Sequence, residues 1–213
     1  MAFAFDSKGV VSPVSLAGVS LSPSFPLPVT DLSTERLILR RWRACDLGPC
    51  AAMNRDPEVM RHYPQRLSRA ETAVLIDRIE HHFDEQGFGF WVVQVKDGAS
   101  FAGFVGLNRP AFAAPVTPCV EIGWRFARTH WGKGYATEAA AAVLDHAFQD
   151  LDLDEIVAFT VPANDRSRAV MKRLGMTRDE AGDFDHPWIQ AGHPLRRHVL
   201  YRLAAREWLT RRI

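Results

Sequence analysis

Cysteine is scarce in this chain: Cys45, Cys50 and Cys119 are the only three in 213 residues, and none is in C-x-x-C spacing. That excludes a disulfide framework and a zinc cluster, leaves the three as small buried hydrophobes, and fits a reducing cytoplasm. No stretch approaches the roughly 18 apolar residues of a membrane helix. Neither sign of charge is in excess: 26 Lys and Arg stand against 25 Asp and Glu, for a net charge of +1. A nucleic-acid or anionic-membrane partner therefore has no electrostatic support. The eight histidines fall at spacings that match no metal signature, so no metal site is expected. The N-terminus has no basic n-region, and Pro13 and Pro23 interrupt the nearly uncharged stretch 9–29. An N-terminal arm over residues 1–32 is expected there in place of an export signal, with one domain over 33–213.

What is present alternates between the two hydrophobic periods. Glu35 to Trp42 reads as a strand. Asp46 caps a helix that carries Met53 and Val59 and stops near Pro64. Ser68 with Glu71 forms a capping box for a second helix ending at Gly87. Phe90–Val95 and Phe101–Leu107 make a hairpin through Lys96-Asp97-Gly98. Val120–Phe126 is the fourth strand, with Glu121, Gly123 and Arg125 on one face. Ala136 to Phe148 carries one apolar helical stripe, Ile156–Val161 is the fifth strand, and Asn164 or Asp165 caps a helix that ends at Gly175. Two strands near 178–184 and 197–203 and a short helical tail close the chain. This order implies an α+β domain: a mostly antiparallel mixed sheet flanked by helices, with one parallel crossover around the Gly-rich turn.

That turn, Trp131-Gly132-Lys133-Gly134-Tyr135-Ala136-Thr137-Glu138, joins a strand to a helix. First-turn N–H groups have no intrahelical partner, the helix dipole is positive there, and two glycines allow close approach by a bulky anion. Together these features make a diphosphate cradle. A Walker loop is excluded because Gly134 follows Lys133, and a dinucleotide fingerprint is excluded because Thr137 stands where a third glycine belongs. A plain tight turn remains the structural alternative.

The surrounding segments resemble the GNAT superfamily of acyl-CoA N-acyltransferases, in its ribosomal-protein N-terminal acetyltransferase-like branch. The resemblance runs through Glu35-Arg36-Leu37-Ile38-Leu39-Arg40, Val120-Glu121-Ile122-Gly123-Trp124, the Gly-Lys-Gly-Tyr-Ala-Thr-Glu string, Pro162-Ala163-Asn164-Asp165-Arg166-Ser167, Lys172 to Met176, and His198 to Leu203. Trp131 departs from the Gln or Arg of the family's phosphate loop, but with the Gly-Lys-Gly-Tyr-Ala-Thr-Glu string it resembles the branch's own version of that loop. The resemblance implies a GNAT fold with a splay between strands four and five. It implies acetyl-CoA as acyl donor, with its diphosphate on the backbone of Lys133, Gly134, Tyr135, Ala136 and Thr137, and its pantetheine paired with the backbone of Trp124 and Phe126. It also implies Glu121 as base, Ser167 as the group serving the leaving thiolate in place of the family's frequent Tyr (here Met171), and Asn164 as a holder of pantetheine or water.

The implied activity is transfer of acetyl to a primary amine, foremost a protein or peptide α-amino group. Small-molecule amines, and a non-catalytic acyl-CoA-binding module, are the alternatives. At pH 7 freeing a lysine amine costs about 4.6 kcal/mol and an α-amine only about 1.1 kcal/mol, so a weak base suffices for an N-terminus. Trp188, in the loop 183–197, is a candidate wall of the acceptor pocket. Monomer and homodimer both stay open.

Overall fold

The computed structural model describes residues 31–211. The expected arm falls almost entirely outside them. Its last residue, Leu32, instead begins a two-residue strand, β1 (Leu32–Ser33). The other strands are β2 (Leu37–Arg40), β3 (Phe90–Val95), β4 (Gly103–Asn108), β5 (Glu121–Phe126), β6 (Glu155–Thr160), β7 (Thr177–Asp185) and β8 (Arg197–Ala204). The helices are α1 (Leu47–Arg55), α2 (Arg69–Gln86), α3 (Tyr135–Gln149), α4 (Asp165–Arg173) and α5 (Ala205–Thr210). No helix among the described residues is long and apolar enough to cross a membrane.

The eight strands form one sheet in the order β1-β2-β3-β4-β5-β6-β8-β7. Every neighbouring pair is antiparallel except β5 with β6. That exception is the expected crossover, and it runs through α3. The α3 stripe Ala139, Ala140, Val143, Leu144, Ala147 and Phe148 is buried, because this helix must cover the sheet it crosses. The second helix lies where its local signals place it. Ser68 and Glu71 complete their capping box, and Gly87 ends the helix at φ 77°. The first helix ends at Arg55, nine residues before the expected stop near Pro64. Asp56 precedes Pro57, is held at ψ 119°, and so cannot continue the helix.

Register sorts the central side chains onto two faces. Trp91, Val105 and Trp124 are cross-strand neighbours on one face, and Trp91 meets His146 of α3 at 5.6 Å between ring centroids. Phe104 and Arg125 lie on the other, where Arg125 reaches Asn54 of α1. Glu121 is four residues from Arg125 on the same strand and therefore shares its face.

Candidate functional site

The parallel pair β5–β6 is joined at a single register position, Glu121 opposite Val157, where Val157 N–H donates to Val120 O at 3.0 Å. Beyond it the strands diverge toward their C-terminal ends. Backbone polar groups alternate sides along a strand. With Val120 O facing β6, those of Trp124 and Phe126 also face the opening. Phe126 O is already engaged there by the indole N–H of Trp131 at 2.8 Å. The expected splay is present, and the backbone of Trp124 and Phe126 lies along it.

The Gly-rich turn sits at the open end. Gly132 and Gly134 adopt φ 75° and 82°, conformations that favour glycine, and a Cβ added at Gly132 would meet nothing within 4 Å. Gly134 caps α3 without a side-chain cap. Among the described residues, no acceptor takes the N–H groups of Lys133, Gly134, Tyr135 or Ala136. Thr137 differs from the expectation that grouped it with them: its N–H closes a turn onto Gly134 O at 3.1 Å. A loop with open space above a positive-φ glycine and four free amides fits a diphosphate group.

Contacts remote in sequence hold this loop. Glu138 in the first turn of α3 accepts from Thr34 Oγ1 at 2.6 Å, from Arg36 N at 3.0 Å and from Arg36 Nε at 2.7 Å. Burial works against the Glu138 charge, but the hydrogen bonds from Thr34 and Arg36 outweigh it and hold the pKa below its ordinary value. Arg36 also donates to Lys133 O at 3.1 Å and lies over the Tyr135 ring. No sequence motif announces this brace, because its partners are about a hundred residues apart.

Glu121 is buried at the closed end of the splay. Its Oε1 accepts from Asn108 Nδ2 at 3.1 Å. Burial pushes its pKa up to about 7, against the opposing pull of the Asn108 hydrogen bond. The Arg125 ion pair that would make Glu121 merely structural is absent. Arg125 instead donates to Asn54 Oδ1 at 2.7 Å and lies 4.1 Å from the Tyr63 ring centroid. Across the splay, the same face carries Val157 and Phe159 in a cluster with Phe112, Val116, Phe184 and Leu200. His186, His198 and Trp188 pack on its rim, with Trp188 42% exposed. Burial pushes the histidines down, to about 4 for His186 and about 3 for His198, so both are neutral near pH 7.

Asn164 and Ser167 begin α4, the helix that follows β6. Asn164 Oδ1 caps the helix by accepting from Ser167 N at 3.3 Å, and its Nδ2 donates to Thr160 Oγ1 at 3.0 Å. One amide hydrogen of Asn164 is left for a ligand. The Ser167 cap contact uses its N–H and not its hydroxyl. Met171 is buried in the core. Among the described residues, no contact joins Glu121 directly to Ser167.

Comparison with known proteins agrees with this architecture. Residues 36–177 match the family described as "Acetyltransferase (GNAT) domain". The chain is 30% identical over 148 residues to the uncharacterised protein YkkB of Bacillus subtilis strain 168, covering 69% of this chain and 85% of that one. It is 34% identical over 130 residues to the FsC-acetyl coenzyme A-N(2)-transacetylase of Aspergillus fumigatus, covering 58% of this chain and 53% of that one. The crystal structure of the acetyltransferase from Agrobacterium tumefaciens strain C58 superposes with a TM-score of 0.65 at 27% identity, over 88% of this chain and 99% of that one.

Proposed function

The chain belongs to the GNAT family of acetyltransferases and uses acetyl-CoA, and from that premise we propose that it acetylates the α-amino group of a protein or peptide by direct attack in a ternary complex. The observation that carries this reading is Glu121: a carboxylate buried beside the splay, with its pKa raised to about 7. That value suits proton removal from an α-amine, whose pKa is near 7.8, far better than from a lysine amine near 10.4.

In this reading the neutral amine attacks the thioester carbonyl carbon. The C–N bond forms, Glu121 takes the proton from nitrogen, directly or through one water, and the C–S bond breaks. The CoA thiolate leaves and is protonated through the Ser167 hydroxyl, while Glu121 returns its proton to solvent. The donor's diphosphate rests on the amides of Lys133, Gly134, Tyr135 and Ala136. Its pantetheine pairs with the backbone of Trp124 and Phe126, supported by Asn164. The charged neighbour of Glu121 on its own face of β5 is a cation, Arg125, and the facing cluster is aromatic. Polycationic acceptors prefer several carboxylates, so this surround supports a peptide terminus.

The relative named as an N(2)-transacetylase supports acetyl transfer to nitrogen without a peptide in its name, so a small-molecule amine acceptor is the second reading. Free-thiol release from acetyl-CoA separates the two across N-terminal peptides, polyamines and aminoglycosides. Peptides are expected to give the highest kcat/KM, and turnover confined to small amines would overturn the peptide reading.

A further inference from the structure

Trp131 stands where the phosphate loop of the family has Gln or Arg, so this chain lacks that polar side chain. Its indole N–H is tied to Phe126 O, which fixes the ring at the end of β5. The face of the ring carries the guanidinium of Arg166, whose Cζ is 4.2 Å from the centroid. Arg166 belongs to the first turn of α4, on the chain that follows β6. The stack therefore connects the two arms of the splay at its open end, next to the free amides of Lys133 to Ala136.

The charge at this point lacks a protein counter-ion. Arg166 has no carboxylate partner among the described residues, and its neighbour Asp165 pairs with Arg168 at 3.3 Å. A cation in the first turn of a helix also opposes the dipole. An anion arriving between the N-termini of α3 and α4 would relieve both conditions.

We infer that Arg166, seated on Trp131, is a binding residue for the phosphate groups of the acyl donor, and that Trp131 replaces the missing polar side chain by acting as the platform that holds it. The inference rests on the reading of the Gly-rich turn as the diphosphate site. Planar guanidinium suits phosphate oxygens, and stacking on an aromatic ring orients it before the ligand arrives.

The test compares R166Q, W131A, W131F and the R166Q/W131A double variant in calorimetric binding of CoA and in turnover of acetyl-CoA and S-acetylpantetheine. The latter has the thioester but no phosphates. R166Q should raise the CoA Kd about tenfold, the scale of one charge-assisted contact, with kcat on acetyl-CoA and turnover of S-acetylpantetheine kept. W131A should match it, and the double variant should be no weaker than either single one. W131F keeps a ring face but loses the tie to Phe126 O, so its affinity should fall between that of wild-type protein and W131A. Wild-type affinity in R166Q, or an equal loss on S-acetylpantetheine, would overturn the inference alone. Failure of wild-type protein to bind CoA would overturn the donor site and this inference with it.

Discussion

Asn108 and Glu121 face each other across the β4–β5 ladder, and the Asn108 amide donates to the buried carboxylate at 3.1 Å. The bond favours the ionised form and opposes the desolvation that raises the Glu121 pKa. N108L keeps the branched heavy-atom skeleton and removes the bond. The midpoint of the kcat/KM–pH profile assigned to Glu121 should then move upward by about one unit. An unchanged midpoint would detach Asn108 from the ionisation.

Gly132 and Gly87 share a positive φ, 75° and 77°, and a Cβ at either would meet nothing within 4 Å. G132A and G87A should therefore lose similar stability, about 1 kcal/mol each in urea unfolding. Only G132A should also lose CoA affinity, because only Gly132 lies in the turn that presents the free amides, and its positive φ sets their direction. Equal CoA binding by both would contradict the placement of the diphosphate.

The brace on α3 should be visible in kinetics. E138Q exchanges one acceptor oxygen for a donor facing Thr34 and Arg36. It should raise KM for acetyl-CoA roughly tenfold with kcat little changed, since it shifts the loop and not the reacting atoms. A fall in kcat alone would point to a role nearer the chemistry.

Much of this was legible in the residues, for reasons that differ by element. The Ser68–Glu71 box and Gly87 act within one turn of the backbone, so the α2 boundaries could be read locally. The end of α1 was equally local, in Asp56-Pro57, but the apolar spacing through Val59 obscured it. Strand β1 has only two residues and no pattern to detect. The free amides followed from a strand, two glycines and a helix. Thr137 stands apart from them, because its N–H closes onto Gly134 O and that closure depends on the cap geometry. Asn108 against Glu121, Thr34 and Arg36 on Glu138, and Arg166 on Trp131 are pairings set by tertiary packing, which no spacing rule encodes.

The buried histidines predict acid sensitivity. His198 is neutral when folded, with its pKa pushed down to about 3, and an unfolded histidine titrates near 6.5. Below that value the unfolded chain binds a proton that the folded chain refuses, so the contribution is complete above pH 6.5 and is lost as pH falls toward 3. Between pH 7.5 and 5, wild-type protein should lose roughly 2 kcal/mol more stability than H198F in urea unfolding. Parallel pH dependence of the two proteins would contradict this assignment.

In the proposed reaction Glu121 removes the proton from the acceptor amine. Its most direct test is the pH dependence of kcat/KM for an N-terminal peptide, measured for wild-type protein and E121Q with bound CoA confirmed in both. Wild-type protein should show an ionisation near 7 together with that of the peptide amine. E121Q should keep only the amine ionisation and fall by about 10²- to 10⁴-fold. An E121Q enzyme with the wild-type profile and rate would contradict the account.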